Sequence, residues 1–391
     1  MRSPGSAWAG ADVRIVHVAN AYTPRSGGIR TTVHALGSGY RAAGHEMVLV
    51  VPGRRAADED LGWGRRITVA GPPVPWSGGY RVLADVAEVR AFLDTLAPDR
   101  LEVSDRLTLR SLGRWAAAAG VPSVVIAHER VDGVLRAFTP LGPRAVRRLA
   151  DRHNATTAER FDRVVTTTAF AAQEFARIGV QTTHVPLGVD LDHFAPSPRV
   201  RHGGARLVLC SRLSREKRPD LAVEALRVLL EQGCQARLTV AGSGPMADAV
   251  QRRSRGLPVD FVGHLADRAS VADLLRGADV VLAPGPVETF GLAALEALAC
   301  ATPVVAADTS AVAELVVGDA GRVAPPEPHA IAAAVSSVLS LPEGRRRWAA
   351  RQRAEAFPWS RTVDGMLQLH GLASRVPDSA PAGPGPQGAR P

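Results

Sequence analysis

The chain has 391 residues, 46% hydrophobic and 22% charged, a balance that fits a soluble globular protein long enough for two domains of ordinary size. Its formal charge of +9 calls for anionic partners, but aromatic residues are only 5% and no nucleic-acid-binding motif stands out. Nucleic acid is therefore disfavoured as a partner, and nucleotide phosphates or an anionic lipid surface are left. No apolar stretch approaches the roughly 18 to 20 residues of a membrane span. No apolar leader core precedes the first strand, so a cytoplasmic location is expected. Cys210, Cys234 and Cys300 lack metal-like spacing and are expected inside strands or helices, as small buried hydrophobes of a reducing compartment.

Short β-branched runs alternate with helical stretches along the whole chain, the pattern of parallel α/β units. Residues 13–19 read as a strand and Gly28 to about Ala43 as a helix, with Ser26, Gly27 and Gly28 between them. Glycines there let backbone N–H groups approach a ligand closely beside a positive helix end, or simply make a turn. Strands follow at 47–51, 100–104 and 123–127, with a helix over 85–96. His128 ends the third of these strands, either as a satisfied structural residue or as a partner for a sugar hydroxyl or a proton. Its neighbours Glu129, Arg130 and Asp132 serve an acceptor or are merely solvated.

Residues 136–153 place Arg144, Arg147, Arg148 and Arg152 among apolar neighbours at helical spacing, as on a helix lying against an anionic bilayer or on an ordinary surface helix. Strands at 162–168 and 183–188 close this half, and Asp190 just beyond reads equally as a ligand or as a turn or cap residue. The Pro/Gly/basic run 196–204 is a linker. The second half restarts with strands at 206–210, 237–241, 259–263, 279–284, 302–307 and 321–324. Arg212 and Lys217 follow the first of these, before a helix that Pro219 opens and Gly233 stops. Two cations near a helix N-terminus suit an anion, although Arg215 and Arg218 allow a solvated basic turn instead. The glycines of 242–245 favour a plain turn. The run Arg345-Arg346-Arg347 reads as exposed.

Glu288 and Glu296 stand out most. Between Gly291 and Cys300 every residue but Glu296 is apolar or small, and a lone buried carboxylate costs several kcal/mol without compensation. Glu288 falls in the loop just before that helix. Two carboxylates aimed at one spot suit a ligand rich in hydroxyl groups. The fold expected is α/β with two Rossmann-like domains and parallel sheets facing a central cleft. The expected boundaries are 1–195, a linker over 196–204, and 205–358, with a helix over 359–373 returning to the first domain and a disordered tail over 374–391.

With these residues placed, the segments SGGIRTTV, VPLGVDLDHFAP, SRLSREK, LTVAGSGP and ETFGLAALE with CATPVVA behind it resemble family 4 of the retaining glycosyltransferases, which have the GT-B fold. The family's E-x7-E pair is matched by Glu288 and Glu296. More narrowly, ANAYTPRSGGIRTTV, LEVSDRLTLRSLG, HERVDGVL and APGPVETFGLAALEALAC resemble the GDP-mannose-dependent phosphatidylinositol mannoside mannosyltransferases of that family. The resemblance implies that Arg212 and Lys217 clamp the donor diphosphate, with Gly27 and Gly28 approaching it from the other domain. It implies Glu296 on the ribose, and Glu288 with the backbone of Phe290, Gly291 and Leu292 on the sugar. His128 would line the sugar and acceptor side, and the loop at Gly263 and His264 the base. His128, Arg212, Lys217 and Glu288 are thus the catalytic candidates. The family needs no metal for the diphosphate, and no cofactor is expected beyond GDP-mannose as co-substrate. One departure is Ser211, where the family commonly has glycine. A glycolipid acceptor would place the enzyme peripherally on the inner face of the plasma membrane. A different nucleotide sugar, a soluble acceptor, or a non-catalytic sugar-nucleotide-binding protein are the alternatives.

Overall fold

The computed structural model describes residues 13–20, 22–23, 27–74, 80–198 and 203–373. Ser26, part of the 196–204 linker and the tail beyond 373 lie outside the described residues. The first sheet is built from β1 (Arg14–Val18), β2 (Glu46–Gly53), β3 (Ala57–Leu61), β4 (Gly64–Ala70), β5 (Arg100–Val103), β6 (Ser123–Ala127), β7 (Arg163–Thr166) and β8 (Thr183–His184). Their order across the sheet is β3-β4-β2-β1-β5-β6-β7-β8, with only β3 antiparallel to its neighbour. The second sheet holds β9 (Ala205–Cys210), β10 (Ala236–Ala241), β11 (Val259–Gly263), β12 (Val280–Ala283), β13 (Val304–Ala307) and β14 (Gly321–Ala324). Its order is β11-β10-β9-β12-β13-β14, and every pairing is parallel.

Both faces of each sheet are covered, which is why the strands read as unbroken apolar runs. Along β2, Val48 and Val50 join one core while Met47, Leu49 and Val51 join the core on the opposite face. In the second sheet Leu207 and Leu209 point to one side and Val208 to the other. Both sheets reverse direction once: the chain leaves β1 for β2, then returns to β5 on its other side, and it does the same around β9 with β10 and β12. Ligands of such sheets bind beyond the strands' carboxyl ends at these reversal points.

The chain crosses between the two sheets twice, side by side. Val189 N–H donates to Phe357 C=O at 2.8 Å, and a Cβ placed on Gly188 would lie 2.6 Å from the Trp359 backbone. The helix Trp359–Leu369 then packs on Gly28–Ala42, and its Val363, Met366 and Leu367 belong to a core of the first sheet.

Several local readings differ from the sequence expectation. The hairpin β3–β4 is invisible as apolar alternation, because β3 is a charged edge strand whose Asp58 and Glu59 pair with Arg65 and Arg66 at 2.6 Å. The strand expected over 183–188 is only two residues long. The single segment 136–153 is two helices, Val131–Phe138 and Pro143–Ala158, since Pro143 opens a new one. Arg346 is buried rather than exposed and donates to Leu339 and Leu341 carbonyls beside Asp279. Cys234 lies in the turn after a helix and is only half-buried, whereas Cys300 caps a helix in the core.

Candidate functional site

Arg212 and Lys217 follow β9 at the reversal point of the second sheet, and the Glu288 loop follows β12, the neighbouring strand across that point. The loop carrying Arg212 rests on the 242–245 turn. Leu213 N–H donates to Ser243 C=O at 3.0 Å, and Gly242 (φ 139°) passes so close that a Cβ would meet Ser211 C=O at 1.9 Å. Those glycines are thus a platform for the cationic loop. Arg212 pairs with Glu216 at 2.6 Å, and Lys217 pairs with Glu288. Burial works against the Glu216 charge, yet hydrogen bonds from Ser214 and Arg212 hold its carboxyl below the ordinary range.

Glu288 sits in a short loop whose end is fixed by Phe290, buried in the second domain's core, and by Gly291 (φ 87°), where a Cβ would strike Val312 at 2.5 Å. Helix Leu292–Ala299 starts there, with the 290–292 backbone on the same loop. Glu296 lies in the second turn. Among the described residues its carboxylate makes no hydrogen bond or salt bridge. Burial raises it to about 7, against the pull of Arg268 and with a further push from Asp190. Glu288 and Glu296 therefore take different surroundings. One is paired with a lysine; the other is held partly protonated by desolvation.

Asp190, left open between ligand and turn, closes its own turn by accepting from His193 N–H at 3.0 Å and meets Arg268 at 3.2 Å. Gly263 and His264 sit exposed at the end of the edge strand β11, with Gly263 C=O accepting from Gly242 N–H at 2.7 Å.

On the first sheet, Gly28 begins the helix after β1, and Gly27 is its N-cap. A Cβ on Gly28 would lie 3.5 Å from Leu292 of the second domain, so two helix N-termini from the two domains converge. Nearby, Thr168 donates to Thr289 C=O at 3.1 Å, and Glu314 receives the Ala169 and Phe170 amides. These contacts seat the Glu288 loop against the first domain.

His128 follows β6. Its Nε2 is 3.0 Å from Ser104 Oγ, and burial, with His17 and Arg106 nearby, lowers it to about 3. It is neutral at physiological pH. Arg130 and Asp132 pair with each other at 2.9 Å, and Arg177 approaches Asp132, so this pair is part of the scaffold rather than a solvated surface. Glu129, pushed up by burial, borders Arg106 at 3.6 Å. The residues that sequence reasoning missed are His17, Glu102 and Ser104, which stand directly behind His128. For His17 and Glu102 the signal was present, as polar and charged letters within the strands RIVHV and RLEV, and Ser104 directly follows the second of these.

A family model for group 1 glycosyl transferases matches residues 194–355, and one for a glycosyl transferase 4-like domain matches residues 27–188. A GDP-mannose-dependent alpha-(1-6)-phosphatidylinositol dimannoside mannosyltransferase of Mycobacterium tuberculosis is 51% identical over 92% of this chain and 96% of its own length. A D-inositol 3-phosphate glycosyltransferase of Gordonia bronchialis is 30% identical over 68% of this chain and 64% of its own. Among solved structures, sucrose-phosphate synthase from Thermosynechococcus elongatus superposes with a TM-score of 0.75 at 22% identity, covering 92% of this chain and 98% of that one. The expected two-domain architecture agrees with that likeness in fold.

Proposed function

The chain belongs to the group 1 glycosyl transferases with a glycosyl transferase 4-like first domain, and from that premise we propose that it transfers mannose from GDP-mannose to a phosphatidylinositol mannoside with retention of configuration. The observation that carries the reading is the convergence of Gly28 on Leu292, with the Arg212–Lys217 loop and Glu288 at the adjoining reversal point. That geometry supports a diphosphate-linked sugar. The choice of mannose and of the lipid rests on the Mycobacterium tuberculosis relative, which is named for both.

In this reading Arg212 and Lys217 take the diphosphate, exchanging their present carboxylate partners for phosphate oxygens. Gly27 and Gly28 present backbone N–H groups from the other domain. Glu296 takes the ribose hydroxyls, and the loop at Gly263 and His264 faces the base. Glu288 and the backbone of Phe290, Gly291 and Leu292 hold the mannose, with His128 on its far side. The bond between the anomeric carbon and the phosphate oxygen breaks, and negative charge builds on the departing diphosphate, where the two cations stabilise it. The acceptor hydroxyl attacks from the same face, and its proton passes to the leaving phosphate oxygen.

The acceptor places the enzyme at a membrane, although no helix among the described residues is long and apolar enough to cross one. Helix Pro143–Ala158 offers the contact: Arg144, Arg147, Arg148 and Leu149 are all exposed, with Leu141 just before it. We place the enzyme peripherally, on the cytoplasmic face of the plasma membrane.

The test is transfer of label from GDP-mannose, and from UDP-sugars in parallel, into phosphatidylinositol mannosides held in vesicles with or without anionic lipid. Label should enter lipid from GDP-mannose alone, and faster on anionic vesicles. Transfer from a UDP-sugar in preference, or none into lipid, would overturn the reading.

A further inference from the structure

Behind His128 a buried polar chain runs back through the first sheet. Ser104 Oγ, 3.0 Å from His128 Nε2, is 2.7 Å from His17 Nε2. His17 Nδ1 is in turn 2.7 Å from Glu102 Oε2. The other oxygen of Glu102 receives Tyr40 Oη at 2.6 Å and meets His370 Nε2 at 2.7 Å. His17 and Glu102 are fully buried, on neighbouring strands β1 and β5 that flank the first sheet's reversal point. His128 Nδ1 has no hydrogen-bond partner among the described residues.

We propose that Glu102, His17 and Ser104 act as positioning residues that fix the tautomer of His128, so that its Nδ1 presents a lone pair to a hydroxyl of the bound sugar. The inference rests on the glycosyl-transfer reading above for the identity of that hydroxyl, but not for the tautomer.

The direction of the chain follows from its end. Burial would raise the Glu102 carboxyl, but hydrogen bonds from His17 and His370 hold it well below the ordinary carboxylate range, so it has no proton to give. Burial and the adjacent carboxylate also hold Tyr40 far above its usual value, so it remains a donor. An acceptor-only carboxylate requires a proton on His17 Nδ1. If the ring carries only that proton, it accepts at Nε2 and takes the one O–H of Ser104. Ser104 Oγ is left to accept, and His128 must supply Nε2–H. The lone pair of His128 is thereby at Nδ1. Under that condition each bond in the series dictates the next, from the acceptor-only Glu102 outward to His128.

The test is long-range proton–nitrogen correlation on protein labelled with 15N-histidine, with the His128 signal identified by its loss in His128→Ala. The wild type should show His128 protonated at Nε2 and bare at Nδ1; a proton at Nδ1 would overturn the proposal. Glu102→Gln keeps the shape but faces His17 with an amide donor while its oxygen keeps Tyr40 and His370. The whole series should then reverse, leaving His128 with Nδ1–H. An unchanged His128 in a folded Glu102→Gln protein would also overturn it, and should that variant unfold, the wild-type spectrum decides. Ser104→Ala breaks the chain with little loss of volume. Its kcat/KM should fall about tenfold with GDP-mannose and not at all with the one GDP-deoxymannose that lacks the hydroxyl His128 accepts from, and Ser104→Thr should restore it. A uniform fall across all the deoxy donors would mark a purely structural role. Failure of the wild type to use GDP-mannose would sink the functional reading while leaving the tautomer result to stand on its own.

Discussion

On the carboxyl edge of the first sheet, His17, Glu102 and Ser104 are buried and joined by hydrogen bonds. On the corresponding edge of the second sheet, Arg212 and Lys217 keep 48% and 25% of their side chains exposed and are matched by the carboxylates of Glu216 and Glu288. Both edges flank a reversal point, but on the proposed reading they do different work. A sugar hydroxyl needs a fixed direction, which burial supplies, because a misaligned buried polar group costs the full desolvation penalty. A diphosphate needs charge that can change partners, and an exposed ion pair such as Arg212–Glu216, of a kind worth only about 0–1 kcal/mol, releases its cation cheaply.

The sharpest way to break that comparison is to remove a cation. Arg212→Ala should lower kcat about a hundredfold to a thousandfold at saturating donor, the range typical of losing one group that stabilises a developing negative charge. Melting temperature should barely change, since Arg212 is half-exposed and its only ion pair among the described residues is with Glu216. Near-normal turnover would mean the diphosphate is held elsewhere.

Glu296 tests the comparison from the other side, because it sits on the second domain, partly buried, and unlike the joined groups of the first it has no hydrogen-bond or ionic partner among the described residues. Its carboxyl is raised from 4.5 to about 7, so the folded protein holds a proton there that the unfolded chain has released. Stability therefore falls as pH rises through that window, by roughly 3 kcal/mol in all. Glu296→Gln should remove this slope and make the protein more stable than wild type at pH 8, while raising KM for the donor if the carboxylate serves the ribose. Urea unfolding at pH 5 and pH 8 reads the effect. Parallel pH profiles for the two proteins would show that the carboxylate is not desolvated.

Glu296 also shows what the sequence could convey. One acidic letter in the apolar run LAALEALA is enough to mark it, and the alternation of strands and helices is enough to predict two parallel sheets. Which partner each carboxylate takes was not legible. Lys217 and Glu288 are 71 positions apart and meet only because β9 and β12 are neighbours in the sheet. The His17–Glu102 pair was hidden for the same reason, as residues on separate strands brought side by side by β1–β5 pairing. The glycines at 242–245 carried the opposite lesson. They read as a turn and are one, but their importance comes from the Arg212 loop lying against them.

The smallest expected effect is none, and it bears on how far the second edge suffices by itself. On the proposed reading, Arg212, Lys217 and two converging helix N-termini would supply from the protein the positive charge for which a diphosphate otherwise needs a divalent ion. Transfer from GDP-mannose should then proceed at an unchanged rate in excess EDTA, and added magnesium should not raise it. A fall of tenfold or more that magnesium restores would show that Arg212 and Lys217 do not neutralise the leaving group unaided. If EDTA is without effect on the wild type, the same assay on Arg212→Ala becomes decisive. Magnesium that rescues the variant but is idle on the wild type would identify the missing quantity as charge, whereas a variant indifferent to magnesium would assign to Arg212 a geometric role, the planar two-point grip that a point charge cannot reproduce.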